Sequence, residues 1–189
     1  MLIDKIATTP ATTPVTIDAG RFLLRPARRS DAGLISHYTG DRRLAEGTRS
    51  IPHPLPPGAG EAYVAQAMKA GTDEDIWVMD GTASGLPEVL GVISLKRMED
   101  GKVGRCQSQV GYWVAPAFWN TGIASEAVAA LIAANPQGSK CLFAEVFQDN
   151  PGSAKVLIHN GFSYLGDAET YAVARAARVP TWTYIRRLG

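Results

Sequence analysis

The chain has 189 residues and a formal charge of +1, from 19 Lys and Arg against 18 Asp and Glu. Hydrophobic residues make up 46% and charged residues 20%, the balance of one globular domain with a substantial core. That charge supplies no global field for nucleic acid or an anionic membrane, and no apolar run approaches the roughly 20 residues that span a bilayer.

Residues 1–15 hold Asp4 and Lys5 early and no compact apolar run. They read as a flexible lead-in rather than a secretory signal, so a cytoplasmic location is expected. In that compartment Cys106 and Cys141 are expected to stay reduced. His37, His53 and His159 are far apart with no partner at ligand spacing, so no metal is expected.

Residues 16–189 read as one α/β domain. Thr16 to Ala27 predicts a first strand with Phe22 and Leu24 on one face, stopped by Pro26. A helix follows, with Ser30 as its N-cap and Leu34, Ile35 and Tyr38 on one face before Gly40. Arg49 to Gly60 is too rich in Pro and Gly for regular structure and predicts a surface loop leading into a helix over 61–70. From Asp75, three short β-rich runs broken by "GTASGLP" and "EDGKVG" predict an antiparallel meander. The chain then alternates: helix over 123–134, strand over 141–147, helix over 153–160, strand over 162–166. The helix after Asn150 has Pro151 in its first turn and Gly161 past its end. "PTWTYIRRL" predicts the last strand, and the Arg-punctuated run before it, from Glu169, reads as a loop closing over a binding site. Tyr171 and Arg175 are its possible ligand contacts, and an edge element or dimer surface is the other reading.

In "GYWVAPAFWNTGIASEA" a β-rich run meets a turn and then a helix start, whose first amides have no internal partners. Gly122 lets the backbone come close to a ligand, and Asn120 tolerates left-handed geometry. Such amides suit phosphate oxygens, but on spacing alone they equally suit a plain helix cap.

The order of elements and three motifs resemble the GNAT acetyltransferase superfamily, nearest its ribosomal-protein alanine and serine N-acetyltransferase branch. The motifs are "FLLRPARRSDA", "QVGYWVAPAFWNTGIASEA" and "FQDNPGSAKVLIHNGF". The resemblance implies a GNAT-type mixed, mostly antiparallel sheet flanked by helices, with acetyl-CoA as cosubstrate. It implies that the amides of Trp119, Asn120, Thr121, Gly122, Ile123, Ala124 and Ser125 hold the pyrophosphate. Trp113 and Val114 would lie along the pantetheine arm, with Asn150 and Ser153 on the opposite wall. At Asn120 the family usually has glycine.

The implied reaction is direct attack of a primary amine, of a protein N-terminus or a small molecule, on the acetyl thioester. Ser153 is the candidate donor to the leaving sulfur, or else a satisfied hydroxyl in a helix turn. Many family members carry a Tyr one turn further on, where this chain has Leu157. An acidic residue often stands at the position of Gln109, which cannot accept a proton. For the base, Glu46, His53, Asp75, Glu169 and a water chain remain, with Glu46 and His53 on the expected substrate wall. Trp77, Tyr112, Trp113 and Phe143 read as packing residues, and Glu126 as favouring the helix start. Arg49, Lys140 and Lys155 are cations within conceivable reach of CoA phosphates. A non-catalytic acyl-CoA-binding module is the alternative, and either a monomer or a homodimer fits.

Overall fold

The computed structural model describes residues 14–98 and 107–189. The expectations for residues 1–13, for Cys106 and for the turn after Met98 lie outside those residues. The strands are β1 (Ile17–Asp18), β2 (Leu23–Pro26), β3 (Glu74–Asp80), β4 (Gly91–Met98), β5 (Gln107–Val114), β6 (Cys141–Phe147), β7 (Ser163–Ala172) and β8 (Ala177–Arg187). The helices are α1 (Ala32–Thr39), α2 (Arg42–Glu46), α3 (Ala59–Ala67), α4 (Ile123–Ala134) and α5 (Pro151–His159). Among the described residues the strands form one 8-stranded sheet in the order β1-β2-β3-β4-β5-β6-β8-β7. Only the β5–β6 pair is parallel. This is the mixed, mostly antiparallel sheet that the resemblance implies.

Alternation of side chains across the strands builds a core on each face. On one, Trp77, Met79, Ile93, Leu95 and Val110 pack against Ile123, Val128 and Leu131 of α4 and Leu157 of α5. On the other, Ile76, Val78 and Val92 pack against Ile35 of α1 and Val64 of α3. The lead-in joins this frame at its end: the buried Trp77 indole donates to the Val15 carbonyl at 2.8 Å.

Four local expectations are corrected. The single strand over 16–27 is a hairpin, with Ile17 opposite Leu24; Gly20 turns it at φ +84 and donates its amide to Asp18 Oδ1. Ser30 does not cap α1. A single 3-10 turn, Arg29–Asp31, precedes the helix, and Asp31 is drawn into the core by Arg25, 2.8 Å away. That ion pair fixes the entry, and the Arg28 amide donates to Asp31 Oδ2. The helix expected over 61–70 is α3, begun earlier by Gly58 at φ +77. The run from Glu169 is the edge element of its two readings and not the loop: it forms the facing halves of β7, the last strand of the sheet, and β8, with Thr170 opposite Val179 and Tyr171 opposite Arg178. Its alternating residues suit a ladder, and the turn between them uses Ala176 at φ 48.

Candidate active site

β5 and β6 pair only at Gln107–Cys141, Ser108–Leu142 and Gln109–Phe143. β5 then stays registered on β4 as far as Val114, and β6 stays registered on β8 as far as Phe147. The two strands therefore part, and a gap opens in the middle of the sheet. The Ala115 amide donates to Leu90 O on the β4 side. By the alternation of an antiparallel ladder, the backbone groups of Tyr112 and Val114 then face the gap. There Val114 O accepts the Trp119 indole N–H at 2.7 Å. The Trp113 side chain joins the α1–α3 face, while Tyr112 and Val114 join the α4–α5 face.

At the mouth of the gap stands the start of α4. Asn120 has φ 62 and Gly122 φ 87, so both positions need the left-handed region. The helix ladder begins with Glu126 N donating to Gly122 O at 3.0 Å, which leaves the amides of Ile123, Ala124 and Ser125 without intrahelical acceptors. Arg21, from the turn between β1 and β2, pins this loop. Its Nη2 donates to Thr121 O at 2.8 Å and to Glu126 Oε1 at 2.7 Å, and its Nε to Glu126 Oε2 at 2.8 Å. Glu126 does sit in the first turn of the helix, but its partner Arg21 was not singled out from sequence. Trp119 is 41% exposed, and the Arg43 guanidinium lies 5.6 Å from its ring centroid.

The start of α5 forms the next wall. Asn150 Oδ1 accepts the Ser153 amide at 3.1 Å, a side-chain cap. A Cβ on Gly47 would lie 3.9 Å from Asn150 Nδ2, so the end of α2 abuts this cap. Ser153 Oγ lies 2.8 Å from the Tyr112 hydroxyl, and that hydroxyl also donates to the Ser153 carbonyl at 3.2 Å. Burial pushes the Tyr112 phenol up to about 12, against the opposing pull of the Ser153 hydrogen bond. Tyr112 is thus more than the packing residue its sequence context suggests. Leu157, where the resemblance expects a phenol, is fully buried in the core.

On the α1–α3 face of the gap lies a carboxylate that the sequence reading passed over. Leu142, Ala144 and Val146 of β6 point into the α4–α5 core, so Glu145 between them points the other way. It is held by Thr181, whose hydroxyl donates to Oε1 at 2.8 Å, and by Arg49, 3.7 Å away. Glu145 stands two residues beyond the last β5–β6 pair, at the level where β5 carries Gly111 and no side chain. The only sequence signal was its place in a strand two residues past a register that sequence does not reveal.

The other expected site residues fall variously. Glu46 ends α2 and pairs with Arg42 at 2.7 Å, while its carbonyl accepts Arg175 Nε at 2.7 Å. Arg175 also pairs with Asp149 and lies over the Phe147 ring, so it straps the β7–β8 turn to the edge of the gap. The Val173 amide adds a bond to Arg49 O. His53 is exposed on the Pro-rich loop; among the described residues no hydrogen bond or ion pair joins it to Ser153 or Asn150. Asp75 accepts from Gln137, and Glu169 pairs with Arg178 on the outer hairpin; neither is brought to the gap. Tyr171 is exposed on β7. Among the described residues no group of three or more His, Cys, Asp or Glu is gathered to hold a metal ion. None of their helices is long and apolar enough to cross a membrane.

Residues 21–163 match the family model of the acetyltransferase (GNAT) domain. The chain belongs to the GNAT acetyltransferase family. It is accordingly an acyltransferase that uses acetyl-CoA, and the non-catalytic alternative gives way. The fold is shared with the microcin C7 self-immunity acetyltransferase MccE, solved with acetyl-CoA and AMP. That match has 15% identity and TM-score 0.76, covering 94% of this chain and 99% of the other. Ribosomal-protein-S5-alanine acetyltransferase from Vibrio fischeri matches at 21% identity and TM-score 0.73, over 92% and 97%. Mycobacterium smegmatis RimJ, in complex with a CoA-disulfide, matches at 19% and 0.74, over 94% and 89%. None of the curated proteins matches the chain in sequence.

Proposed function

We propose that this protein is an N-acetyltransferase that passes the acetyl group of acetyl-CoA to a primary amine by direct attack in a ternary complex. The observation that carries this reading is the parting of β5 from β6 after Gln109 and Phe143, beside a helix start with unclaimed amides. The donor set suits a nucleotide thioester. Helix amides and the dipole favour the oxygens of a pyrophosphate, and the gap-facing edge of β5 suits a flexible amide arm. In this reading the amides from Asn120 through Ser125 hold the pyrophosphate, with Asn120 and Gly122 supplying the turn; the Trp119 amide, expected among them, is spent on Pro116 O at 3.3 Å. The gap-facing backbone of Tyr112 and Val114 lines the arm, while the backbone of Trp113, expected beside it, is turned to β4.

The two faces of the gap divide the chemistry. Ser153, on the α4–α5 side, donates to the leaving sulfur, with Asn150 fixing the turn that carries it. Glu145, on the α1–α3 side, takes the proton of the attacking amine. Glu46 and His53 line the wall along which the acceptor arrives. A hydrogen-bond donor and a base on opposite sides of the reacting carbon suit attack from one side and departure from the other.

The acceptor is a primary amine, on a protein N-terminus or a small molecule. The name of the Vibrio fischeri neighbour, a ribosomal-protein alanine acetyltransferase, supports the first of these, and that of the self-immunity enzyme MccE leaves the second open. Incubation with acetyl-CoA and a panel of amines and N-terminal peptides tests the reading. Amine-dependent thiol release with an acetylated product of matching mass is expected. Tight acetyl-CoA binding with no release for any amine would contradict it.

A further inference from the structure

Resting on that reading, the hydroxyl pair between β5 and α5 defines a role for Tyr112, a residue of the second motif that was read as packing. Tyr112 lies three residues beyond the last β5–β6 pair, on the strand that leaves β6, and Ser153 lies on the helix that follows β6. The 2.8 Å contact between their hydroxyls therefore bridges the two walls where the gap opens. Leu157 supplies no phenol on the helix and is fully buried.

We propose that Tyr112 is a positioning residue that donates its hydrogen to Ser153 Oγ and so frees the Ser153 hydrogen to point at the departing sulfur.

A hydroxyl has one hydrogen to give. If Ser153 spends it on Tyr112, none is left for the sulfur; if Tyr112 is the donor, Ser153 accepts and can still donate. While the thioester is intact its sulfur is a weak acceptor, and Tyr112 can give its hydrogen to the Ser153 carbonyl at 3.2 Å while it accepts that of Ser153 Oγ at 2.8 Å. As the C–S bond breaks, its electron pair collects on sulfur, and a hydrogen bond to an anion is about twice as strong as a neutral one. The Ser153 hydrogen then turns to the sulfur and the Tyr112 hydrogen follows onto Ser153 Oγ. The N–C bond forms, the C–S bond breaks, the amine's proton leaves by the base, and the thiolate is protonated from solvent. Both hydroxyls keep their hydrogens. The phenol, pushed up to about 12 by burial, stays protonated at neutral pH. Full transfer from it to a thiolate with a pKa of about 8.5, taking Cys as the guide, would run uphill. Because the interaction forms only as charge develops, it raises turnover and leaves ground-state binding alone.

The test compares Tyr112→Phe, Ser153→Ala and the double variant by acetyl-CoA titration and single-turnover acetyl transfer. Tyr112→Phe removes one oxygen and keeps the buried ring. The expected result is a roughly tenfold slower transfer with unchanged acetyl-CoA affinity, and a larger loss for Ser153→Ala. The double variant should be no slower than Ser153→Ala alone, because without the Ser153 hydroxyl there is nothing to position. Losses that multiply, an affinity that falls with Tyr112→Phe, or a Tyr112→Phe rate equal to wild type would each overturn the proposal. If the wild type itself releases no thiol with any amine, it is the function above that fails. Wild-type turnover with one of those outcomes fails this proposal alone.

Discussion

Thr181 Oγ1 donates to Glu145 Oε1 over 2.8 Å, from β8 to β6, at the edge of the gap in the sheet. Thr181 is fully buried, so this bond holds the carboxylate in one orientation and leaves its other oxygen toward Arg49. Glu145→Gln keeps an acceptor for Thr181 and removes the base. Turnover should fall by about 10²–10⁴-fold with acetyl-CoA affinity retained. Steady-state kinetics and titration check it; unchanged turnover would return the role to Glu46, His53 or water.

Arg21 reaches the α4 start from the β1–β2 turn and fastens both Thr121 and Glu126. Arg21→Ala should loosen the turn and raise the acetyl-CoA dissociation constant about tenfold, equal to roughly 1.4 kcal/mol. Gly122→Ala should act in the same direction. It places a Cβ 3.4 Å from Arg21 Nη2 at a backbone φ of +87, and a non-glycine residue pays about 1–2 kcal/mol for that region. Both should spare turnover at saturating acetyl-CoA. Calorimetric titration decides the matter, and an unaltered affinity in both variants would separate this turn from the ligand.

Arg175 joins the β7–β8 turn to Asp149 and to the end of α2. Its hydrogen bond holds the Asp149 carboxyl below the usual carboxylate range, against a smaller upward push from burial. The pair is partly exposed, so its loss should cost no more than about 1 kcal/mol of stability. Its effect should appear in the acceptor site: Arg175→Ala should raise the acceptor KM several-fold while the acetyl-CoA KM holds. Arg175→Lys should recover only part, because lysine lacks the fork that serves Asp149 and Glu46 O together. Equal changes in both KM values would argue for general loosening instead.

Arg25 is buried between Asp31 and Asp80, at 2.8 and 2.6 Å, and ties β2 to the entry of α1 and the end of β3. Arg25→Ala takes the nearest cation from both carboxylates, leaving Asp80 only Arg28 at 3.9 Å, and should destabilise the fold by about 3–5 kcal/mol, read from urea midpoints. Acid should act on the same cluster. Burial pushes the Asp80 carboxyl up, but hydrogen bonds from Arg25 and Thr82 outweigh it and hold the group below its usual range. The unfolded chain therefore takes up the proton first. The stability that Asp80 contributes is complete above its unfolded pKa of about 3.9 and is lost as pH falls through the lower folded value. Asp80→Asn should be less stable at neutral pH and lose less on acidification below pH ~4.

Much of the fold was legible because local chemistry and tertiary packing agree. α4 and β6 have the bounds that their apolar pattern and flanking turns predict. The β-rich runs from Asp75 form β3, β4 and β5, with β4 beginning three residues later than its run. The failures arise where a distant partner decides. Asp31 is an entry residue because Arg25 reaches it from another strand, which the Ser-Asp pair alone does not reveal. The run after Glu169 looked like a loop because arginines interrupt it, yet those arginines fall on the turn and the outer face of a hairpin. The α4 turn was readable from Asn120 and Gly122, whose residue types advertise the left-handed backbone. Glu145 and Tyr112 were not. Each matters through the level at which β5 leaves β6, and that level is set by pairing between segments more than thirty residues apart. Glu46 and His53 stood out because they flank the Gly- and Pro-containing segment after α2, where exposure draws attention to them.

The positions of CoA's pyrophosphate and sulfur in a crystal structure of the complex test the central claim most directly. The account predicts pyrophosphate oxygens within about 3.2 Å of amides between residues 120 and 125, and the sulfur in the β5–β6 gap within roughly 4 Å of Ser153 Oγ. A pyrophosphate bound away from the start of α4, or a sulfur outside the gap, would contradict it.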